Sequence, residues 1–200
     1  MKKISLFLLN LGFLLVSLLL YRLVFLLKYA DFTALKGMDL FPAFLAGLRF
    51  DLATSAYVLV PFAVLVFLPL LSGSRRYLGV LSVVNAFWLV LLDIYLFVDL
   101  LYYPFSLRHL SFELFSTKGD LMSMVKLGFL EYSLEMAVFF VFVALMIFAY
   151  FSLTRRMLRN YAHSKYSLTR KLLADGVIIL VAATLMVVMA RGGIQMKPLK

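Results

Sequence analysis

Residues 4–27 of this chain read ISLFLLNLGFLLVSLLLYRLVFLL. A helix needs about 20 apolar residues to cross the hydrocarbon core of a bilayer, and this stretch reaches that length with Arg22 as its only charged residue. Four later stretches are of similar length and largely apolar: Leu52 to Leu71, Tyr77 to Tyr103, Tyr132 to Leu153 and Leu172 to Ala190. Each is predicted to be an α-helix, because backbone groups left unpaired in lipid are too costly. The predicted fold is an all-α, five-helix transmembrane bundle.

The segments beside the second span and after the third add detail to this fold. Residues 41–50 are also largely apolar, so the second helix can begin earlier, with Asp39 as its cap and Pro42 in its first turn. Between Pro104 and Glu131, apolar and polar residues alternate, and residues 120–130 keep apolar residues on one helical stripe. Such segments tend to lie in the membrane interface, so we expect short interfacial helices in this outer loop.

Composition excludes several classes of protein. The chain is 64% hydrophobic with a mean hydropathy of +1.02, whereas soluble domains are about 45–50% apolar, so a soluble two-domain protein is excluded. The chain has no Cys, which excludes disulfides, thiolate metal sites and a Cys nucleophile. The two His fall on opposite sides of the predicted membrane, and no catalytic or phosphate-binding motif is present. We therefore expect no catalytic residue, metal site or cofactor within this chain.

The basic residues predict the orientation of the bundle. The first apolar run is longer than the core of a signal peptide, about 7–15 residues, and no cleavage site follows it, so it is predicted to be a retained span. If the spans alternate, one side of the membrane carries Lys2, Lys3, Arg75, Arg76, Arg155, Arg156, Arg159, Lys165, Arg170 and Lys171. By the positive-inside rule this side is cytoplasmic, so the amino terminus lies inside and the carboxyl terminus outside. The basic residues that produce the formal net charge of +10 then lie beside lipid head groups, so the charge does not imply nucleic-acid binding.

Polar residues inside the spans need partners or water, because a charge at a helix centre costs about 2.5–3.5 kcal/mol even on insertion scales. The residues concerned are Arg22, Asn85, Asp93 and Asp99. Arg22 and Asp93 both fall in the outer half of the bilayer, and we expect an ion pair between the first and third helices. Two alternatives stay open: Arg22 can extend to the head groups, and Asp93 can pair with Arg49.

A second set of polar residues is predicted to form an outward-facing patch that holds a lipid head group. Asp99 shares a helix face with the residues three and four positions later, and both arginines of the set suit phosphate. The two tyrosines can instead belong to the aromatic belt of the membrane interface. The patch consists of Arg49, Asp51, Asp99, Tyr102, Tyr103, Arg108 and His109.

Three short motifs carry a resemblance to a known family. They are Gly47-Leu48-Arg49-Phe50-Asp51-Leu52 at a span opening, residues 99–105 (DLLYYPF) with Arg108 at a span end, and Arg191-Gly192-Gly193-Ile194-Gln195 with Pro198-Leu199 after the last span. With the five-span topology, they resemble the membrane part of the lipoteichoic acid synthase family, which is similar to other phosphoglycerol transferases and, more distantly, to lipid phosphoethanolamine transferases.

The resemblance implies a protein of the bacterial cytoplasmic membrane. Residues 1–190 would be its transmembrane domain, and residues 191–200 would begin a linker to an extracytoplasmic, sulfatase-like catalytic domain. Family members there use a Thr nucleophile and a divalent metal, commonly manganese, to transfer phosphoglycerol from phosphatidylglycerol. Arg191 and Gln195 would orient the linker, or they are an interfacial anchor beside a plain turn at Gly192 and Gly193.

Two other functions stay open at this point. An anchor of a phosphoethanolamine transferase would share the plan and differ in substrate. A stand-alone transporter or a subunit of a membrane complex would use Arg22, Asp93 and Asp99 as residues of a transport pathway.

Overall fold

The computed structural model describes residues 2–29, 37–67, 74–106, 109, 130–159, 176, 180, 184 and 187. All of these are helical except Ser74, His109 and Tyr132, and there is no β-strand among them. The described residues form four long helices: α1 (Lys2–Tyr29), α2 (Gly37–Phe67), α3 (Arg75–Ser106) and α4 (Ser133–Arg159). The prediction of an all-α chain is therefore confirmed for the part that the structure describes.

All four helices are long and apolar enough to cross a membrane. They contain the first, third and most of the second and fourth predicted spans, so the chain has the character of a membrane-embedded protein. Of the fifth predicted span, Leu172 to Ala190, the structure describes four residues at positions 176, 180, 184 and 187, all helical. The hydroxyl of Thr184 donates to the carbonyl of Leu180, 2.8 Å away, as a helix permits. The rest of that span lies outside the described residues.

The largest differences between the helix ends and the predicted spans are at the start of α2 and at the end of α4. α2 begins at Gly37, so Asp39 lies inside the helix rather than at its cap, and Pro42 follows in the second turn. α4 continues past Leu153 to Arg159, and its last turn carries Arg156 and Arg159. Cations are favourable at the carboxyl end of a helix, where they meet the negative end of its dipole. Of the predicted outer-loop helix at residues 120–130, only Leu130 is described, and it is helical.

Two helices begin at a residue whose carbonyl accepts the first helical hydrogen bond. The amide of Leu78 donates to Ser74, 3.2 Å away, and the amide of Met136 donates to Tyr132, 2.9 Å away. Ser is among the preferred residues at such a position. α3 therefore begins directly after Ser74, with the basic pair Arg75 and Arg76 in its first turn.

The chain divides into two compact units, and α1 and α2 lie in the first, which comprises residues 1–85 and 152–200. In this unit α1 packs against α2. Phe7 contacts Phe67 with ring centroids 5.9 Å apart, while Arg22 contacts Asp51, so the two helices run antiparallel. Fully or almost fully buried apolar side chains of the unit are Leu6, Leu14, Leu59, Val66 and Leu78.

The second unit comprises residues 86–151 and contains most of α3 and α4. Phe97 of α3 stacks on Phe139 of α4 with ring centroids 4.2 Å apart and ring planes 12° apart. Large apolar side chains remain exposed along α4, including Val138, Val141 and Phe148. Such a surface suits contact with lipid, which is as apolar as these side chains.

Candidate functional site

The guanidinium of Arg22 forms an ion pair with the carboxylate of Asp51. Nη2 of Arg22 lies 2.6 Å from Oδ1 of Asp51, so this is a short, charge-assisted hydrogen bond between α1 and α2. The Arg22 side chain is 22% exposed and the Asp51 side chain 8% exposed. A charge inside a membrane helix is costly without a partner, so each group stabilises the other in the folded chain.

Arg22 also binds two backbone carbonyls of α2. Nη2 donates to the carbonyl oxygen of Gly47, and Nη1 donates to that of Phe44 at 3.3 Å. The guanidinium carbon lies 6.0 Å from the centroid of the Phe44 ring, at the outer limit of a cation–π contact. Arg22, Phe44, Gly47 and Asp51 are called the Arg22 site below. A lysine could not form this set of contacts, because only the planar guanidinium presents several donors in fixed directions.

Gly47 is required at the Arg22 site by space rather than by backbone conformation. A Cβ at residue 47 would overlap the guanidinium of Arg22. The guanidinium is not free to move away, because Asp51 and two carbonyls hold it in place. Gly47 and Asp51 are four residues apart and therefore on the same face of α2. Two residues of the motif at residues 47–52 thus have one common task, which is to receive Arg22.

Sequence reasoning did not find this pairing. It placed Asp51 in the outer patch and paired Arg22 with Asp93, whereas the structure places Asp51 against Arg22. Asp93 is buried on α3, and its pairing with Arg22 stays a prediction. The signal available in the sequence was position: Arg22 lies near the end of one span and Asp51 near the start of the next, so both fall at the same membrane face.

The carboxylate of Asp99 contacts the ring of His109. Nδ1 of His109 lies 2.9 Å from Oδ2 of Asp99, and the Asp99 side chain is 6% exposed while that of His109 is 65% exposed. A carboxylate only accepts hydrogen bonds, so Nδ1 carries the proton in this contact. The Tyr103 ring lies against the imidazole, with centroids 5.5 Å apart. The buried acid thereby orients an exposed imidazole at the carboxyl end of α3.

Three members of the predicted outer patch therefore lie together: Asp99, Tyr103 and His109. Tyr102 is half-buried on the same helix, and Arg49 is half-buried on α2. Arg108 and the predicted linker residues Arg191 and Gln195 lie outside the described residues. The assembly of the whole patch stays a prediction.

A buried amide pair connects α1 with α3. The side-chain amide of Asn85 donates to the side-chain oxygen of Asn10, and the amide of Asn10 donates to the carbonyl of Leu6 at 2.6 Å. Both asparagines are almost fully buried. The expectation that polar residues inside the spans have partners is confirmed for Arg22, Asn85 and Asp99. Asn10 was not predicted as a partner, although a single Asn in the first apolar run was a visible signal.

Among the residues that the structure describes, no group of three or more His, Asp or Glu side chains could hold a metal ion. The polar contacts described above are an ion pair, an acid–imidazole pair and an amide pair. These arrangements hold helices together and orient one exposed ring.

Comparisons of the chain with protein-family models, with curated proteins and with solved structures gave no match. The resemblance to the lipoteichoic acid synthase family therefore rests on the short motifs quoted above and stays a prediction.

Proposed function

We propose that this chain is the membrane-anchoring domain of a sulfatase-like phosphoglycerol transferase, similar to lipoteichoic acid synthases, in the bacterial cytoplasmic membrane. It would hold an extracytoplasmic catalytic domain against the outer leaflet, where phosphatidylglycerol is the donor lipid. The amino terminus would be cytoplasmic and residues 191–200 extracytoplasmic. Four helices with the length and apolar character of membrane spans support the anchoring part of this function.

The observation that carries the proposal is the geometry of the motif at residues 47–52. Gly47 and Asp51 both belong to the motif that carries the resemblance. Gly47 leaves room for the guanidinium of Arg22 and accepts a hydrogen bond from it through its carbonyl oxygen, and Asp51 accepts another through its carboxylate. This contact gives two residues of the motif a structural role between α1 and α2. In the proposed orientation the Arg22 site lies in the outer half of the bilayer, and it would fix α1 and α2 beneath the catalytic domain.

The chemistry itself would belong to the catalytic domain. The Thr nucleophile and the divalent metal, manganese in many relatives of this kind, would lie there. The part of the outer patch at the end of α3 would contribute a polar surface to the lipid head group, with Asp99 orienting the exposed ring of His109. Arg191 and Gln195 would orient the linker between the two domains.

The direct test is head-group transfer by the product of the whole reading frame. The purified protein is placed in liposomes with Mn²⁺ and phosphatidylglycerol labelled in its acyl chains. Transfer of phosphoglycerol to an acceptor leaves labelled diacylglycerol, which we expect to accumulate with time. Phosphatidylethanolamine in the same assay is the control lipid. If diacylglycerol forms from phosphatidylethanolamine and not from phosphatidylglycerol, the donor lipid is phosphatidylethanolamine and the protein is a phosphoethanolamine transferase instead. If neither lipid is turned over, the proposal is contradicted.

A stand-alone transporter or complex subunit is the second candidate. The burial of Asp93 and Asp99 inside apolar helices favours it, because intramembrane carboxylates often line ion or proton pathways. A reading frame without a hydrophilic domain after residue 200, together with Asp93-dependent ion flux into liposomes, would support this function instead.

A further inference from the structure

α4 has one buried side and one exposed side. Tyr150, Thr154 and Leu158 are buried, and because they are spaced by four residues they share one side of the helix. The large apolar residues of the opposite side are spaced by three and four residues, and each is at least 60% exposed: Leu134, Val138, Val141, Leu145 and Phe148. α4 is also the least buried of the four described helices.

The exposed side of α4 ends in three arginines. Arg155 and Arg159 lie seven and eleven residues after Phe148, and these spacings return to the same side of a helix. Arg156, eight residues after Phe148, lies next to them on that side. All three arginines are exposed. A lipid-facing apolar surface thus continues into a cluster of positive charge on one uninterrupted helix.

The three arginines lack acidic neighbours. The sequence contains no Asp or Glu between Glu135 and Asp175. Within the described part of the chain, none of the three arginines is paired with a carboxylate. A guanidinium binds phosphate oxygens through two parallel hydrogen bonds, so exposed arginines without a carboxylate suit a phosphate group.

We propose that Leu145, Phe148, Arg155, Arg156 and Arg159 form a binding site for an anionic phospholipid, called the α4 lipid site below. The phosphate would bind the guanidinium groups, and one acyl chain would lie along Phe148 and Leu145. At about 1.5 Å per residue, Arg155 is about 10 Å from Phe148 and about 15 Å from Leu145 along the helix axis. The second distance is half of the hydrocarbon core of about 30 Å, so the acyl chain of a single leaflet covers both residues.

A second copy of the chain is a poorer occupant of this side of α4. Two copies inserted with the same orientation would meet through a symmetric contact, in which the arginine cluster of one copy faces that of the other. Like charges in a partly apolar surrounding repel, whereas a phosphate offsets the positive charge. The charge of the α4 lipid site therefore favours a lipid.

The α4 lipid site does not depend on the proposed transferase. In the proposed orientation it lies at the cytoplasmic leaflet, so its lipid would not be the donor lipid of the outer leaflet. Its occupation needs neither a catalytic domain nor turnover, and the binding experiment below can succeed or fail independently of the head-group assay.

Quenching of a tryptophan by brominated lipids tests the α4 lipid site. The only tryptophan of the chain is replaced by Trp88→Phe, and Phe148→Trp then provides a single reporter at the site. The protein is placed in bilayers of phosphatidylcholine and phosphatidylglycerol, with bromine in the acyl chains of one lipid or the other. We expect phosphatidylglycerol to bind about 3–10 times more strongly than phosphatidylcholine, because each basic residue near the head group adds to the attraction.

A reporter at Val138→Trp is the control for position. Val138 is an exposed apolar residue of the same side of α4, about 25 Å along the axis from Arg155. We expect both lipids to quench this reporter about equally. Equal quenching of the Phe148→Trp reporter by the two lipids would overturn the site.

Two matched double variants separate a lipid site from general surface charge. Arg155→Gln with Arg159→Gln should bring the preference at the Phe148→Trp reporter to about twofold or less. Arg75→Gln with Arg76→Gln removes two exposed arginines from the start of α3 and should leave the preference unchanged. An equal loss in both double variants would show that only the charge of the membrane face matters, and would overturn the site.

The same reporters reveal whether protein covers this part of α4. If a second copy occupied it, both brominated lipids would quench the Phe148→Trp reporter weakly while still quenching the Val138→Trp reporter. That result would replace the lipid by a protein contact and overturn the proposal.

Discussion

A Cβ at Gly47 would overlap the guanidinium of Arg22, which is held by Asp51 and by two carbonyls of α2. The packing of α1 against α2 thus depends on the absence of a side chain at residue 47. In membranes, small residues often allow such close approach, because helices there associate by packing and hydrogen bonds rather than by water exclusion.

Gly47→Ala should destabilise the domain. The added methyl group displaces a guanidinium whose hydrogen bonds are each worth about 1.5–3 kcal/mol, and the gain in helix propensity of about 1 kcal/mol offsets part of this loss. We expect a net loss of about 1–2 kcal/mol in the free energy of unfolding. Chemical denaturation in detergent micelles measures it.

Gly12→Ala is the matched control, because a Cβ there meets nothing within 4 Å. The same change in an open position of α1 should stabilise by about 0.5–1 kcal/mol. Equal effects of the two substitutions would show that the space at Gly47 is not specific to Arg22.

Charge reversal should identify the partner of Arg22. Arg22→Asp or Asp51→Arg leaves a buried charge without its partner, a loss of about 3–5 kcal/mol for such pairs. The double reversal should recover much of this loss, since the longer arginine at residue 51 can reach back to residue 22. Folded yield and apparent Tm are the measurements. Rescue of Arg22→Asp by Asp93→Arg, and not by Asp51→Arg, would favour the pairing predicted from the sequence.

Arg22→Lys keeps the charge and removes the planar arrangement of donors. An ammonium can still reach Asp51 but cannot keep all the contacts to Phe44 and Gly47. We expect a loss of about 1–2 kcal/mol, smaller than that of the charge reversal. If Arg22→Lys proved as stable as the unsubstituted chain, the carbonyl contacts would contribute nothing.

The amide pair of Asn10 and Asn85 should show energetic coupling. Replacing one partner leaves the other buried and unpaired, at a loss of about 1–3 kcal/mol, whereas replacing both by leucine can be nearly neutral. A cycle with Asn10→Leu, Asn85→Leu and the double variant measures the coupling, which we expect near 0.6–2 kcal/mol in a membrane. Strictly additive losses would argue against a direct contact between the two amides.

The contact of His109 with Asp99 predicts a fixed tautomer. The neutral ring should carry its proton on Nδ1, because the carboxylate can only accept. In a His163→Gln background only one imidazole remains, and its ¹⁵N chemical shifts report the tautomer directly. In the same background Asp99→Asn should weaken this preference, and a ring protonated mainly on Nε2 while Asp99 is present would contradict the contact.

The spans could be predicted from sequence because apolar length alone decides whether a helix can cross a bilayer. The four described helices follow the predicted spans in order, with ends that shift because basic and interfacial residues are tolerated in terminal turns. The partner of a charged residue is harder to predict, because it depends on the register of one helix against another. The pairing of Arg22 was missed for this reason, although its need for a partner was clear.

The polar pair of Asn10 and Asn85 illustrates the same limit. Asn85 stood out near the middle of a long span, but nothing in one sequence says which residue of α1 faces it. Asp99 and His109 were assigned to one patch because the chain brings them close after the third span, so local spacing was sufficient there.

Labelling from outside the cell tests the proposed orientation most directly. The chain has no Cys, so Ser74→Cys and Lys200→Cys each provide a single thiol. A membrane-impermeant maleimide should label the thiol at residue 200 in intact cells, and the thiol at residue 74 only after permeabilisation. The reverse pattern would place the carboxyl end of the chain in the cytoplasm and contradict its role as an anchor for an outer-leaflet transferase.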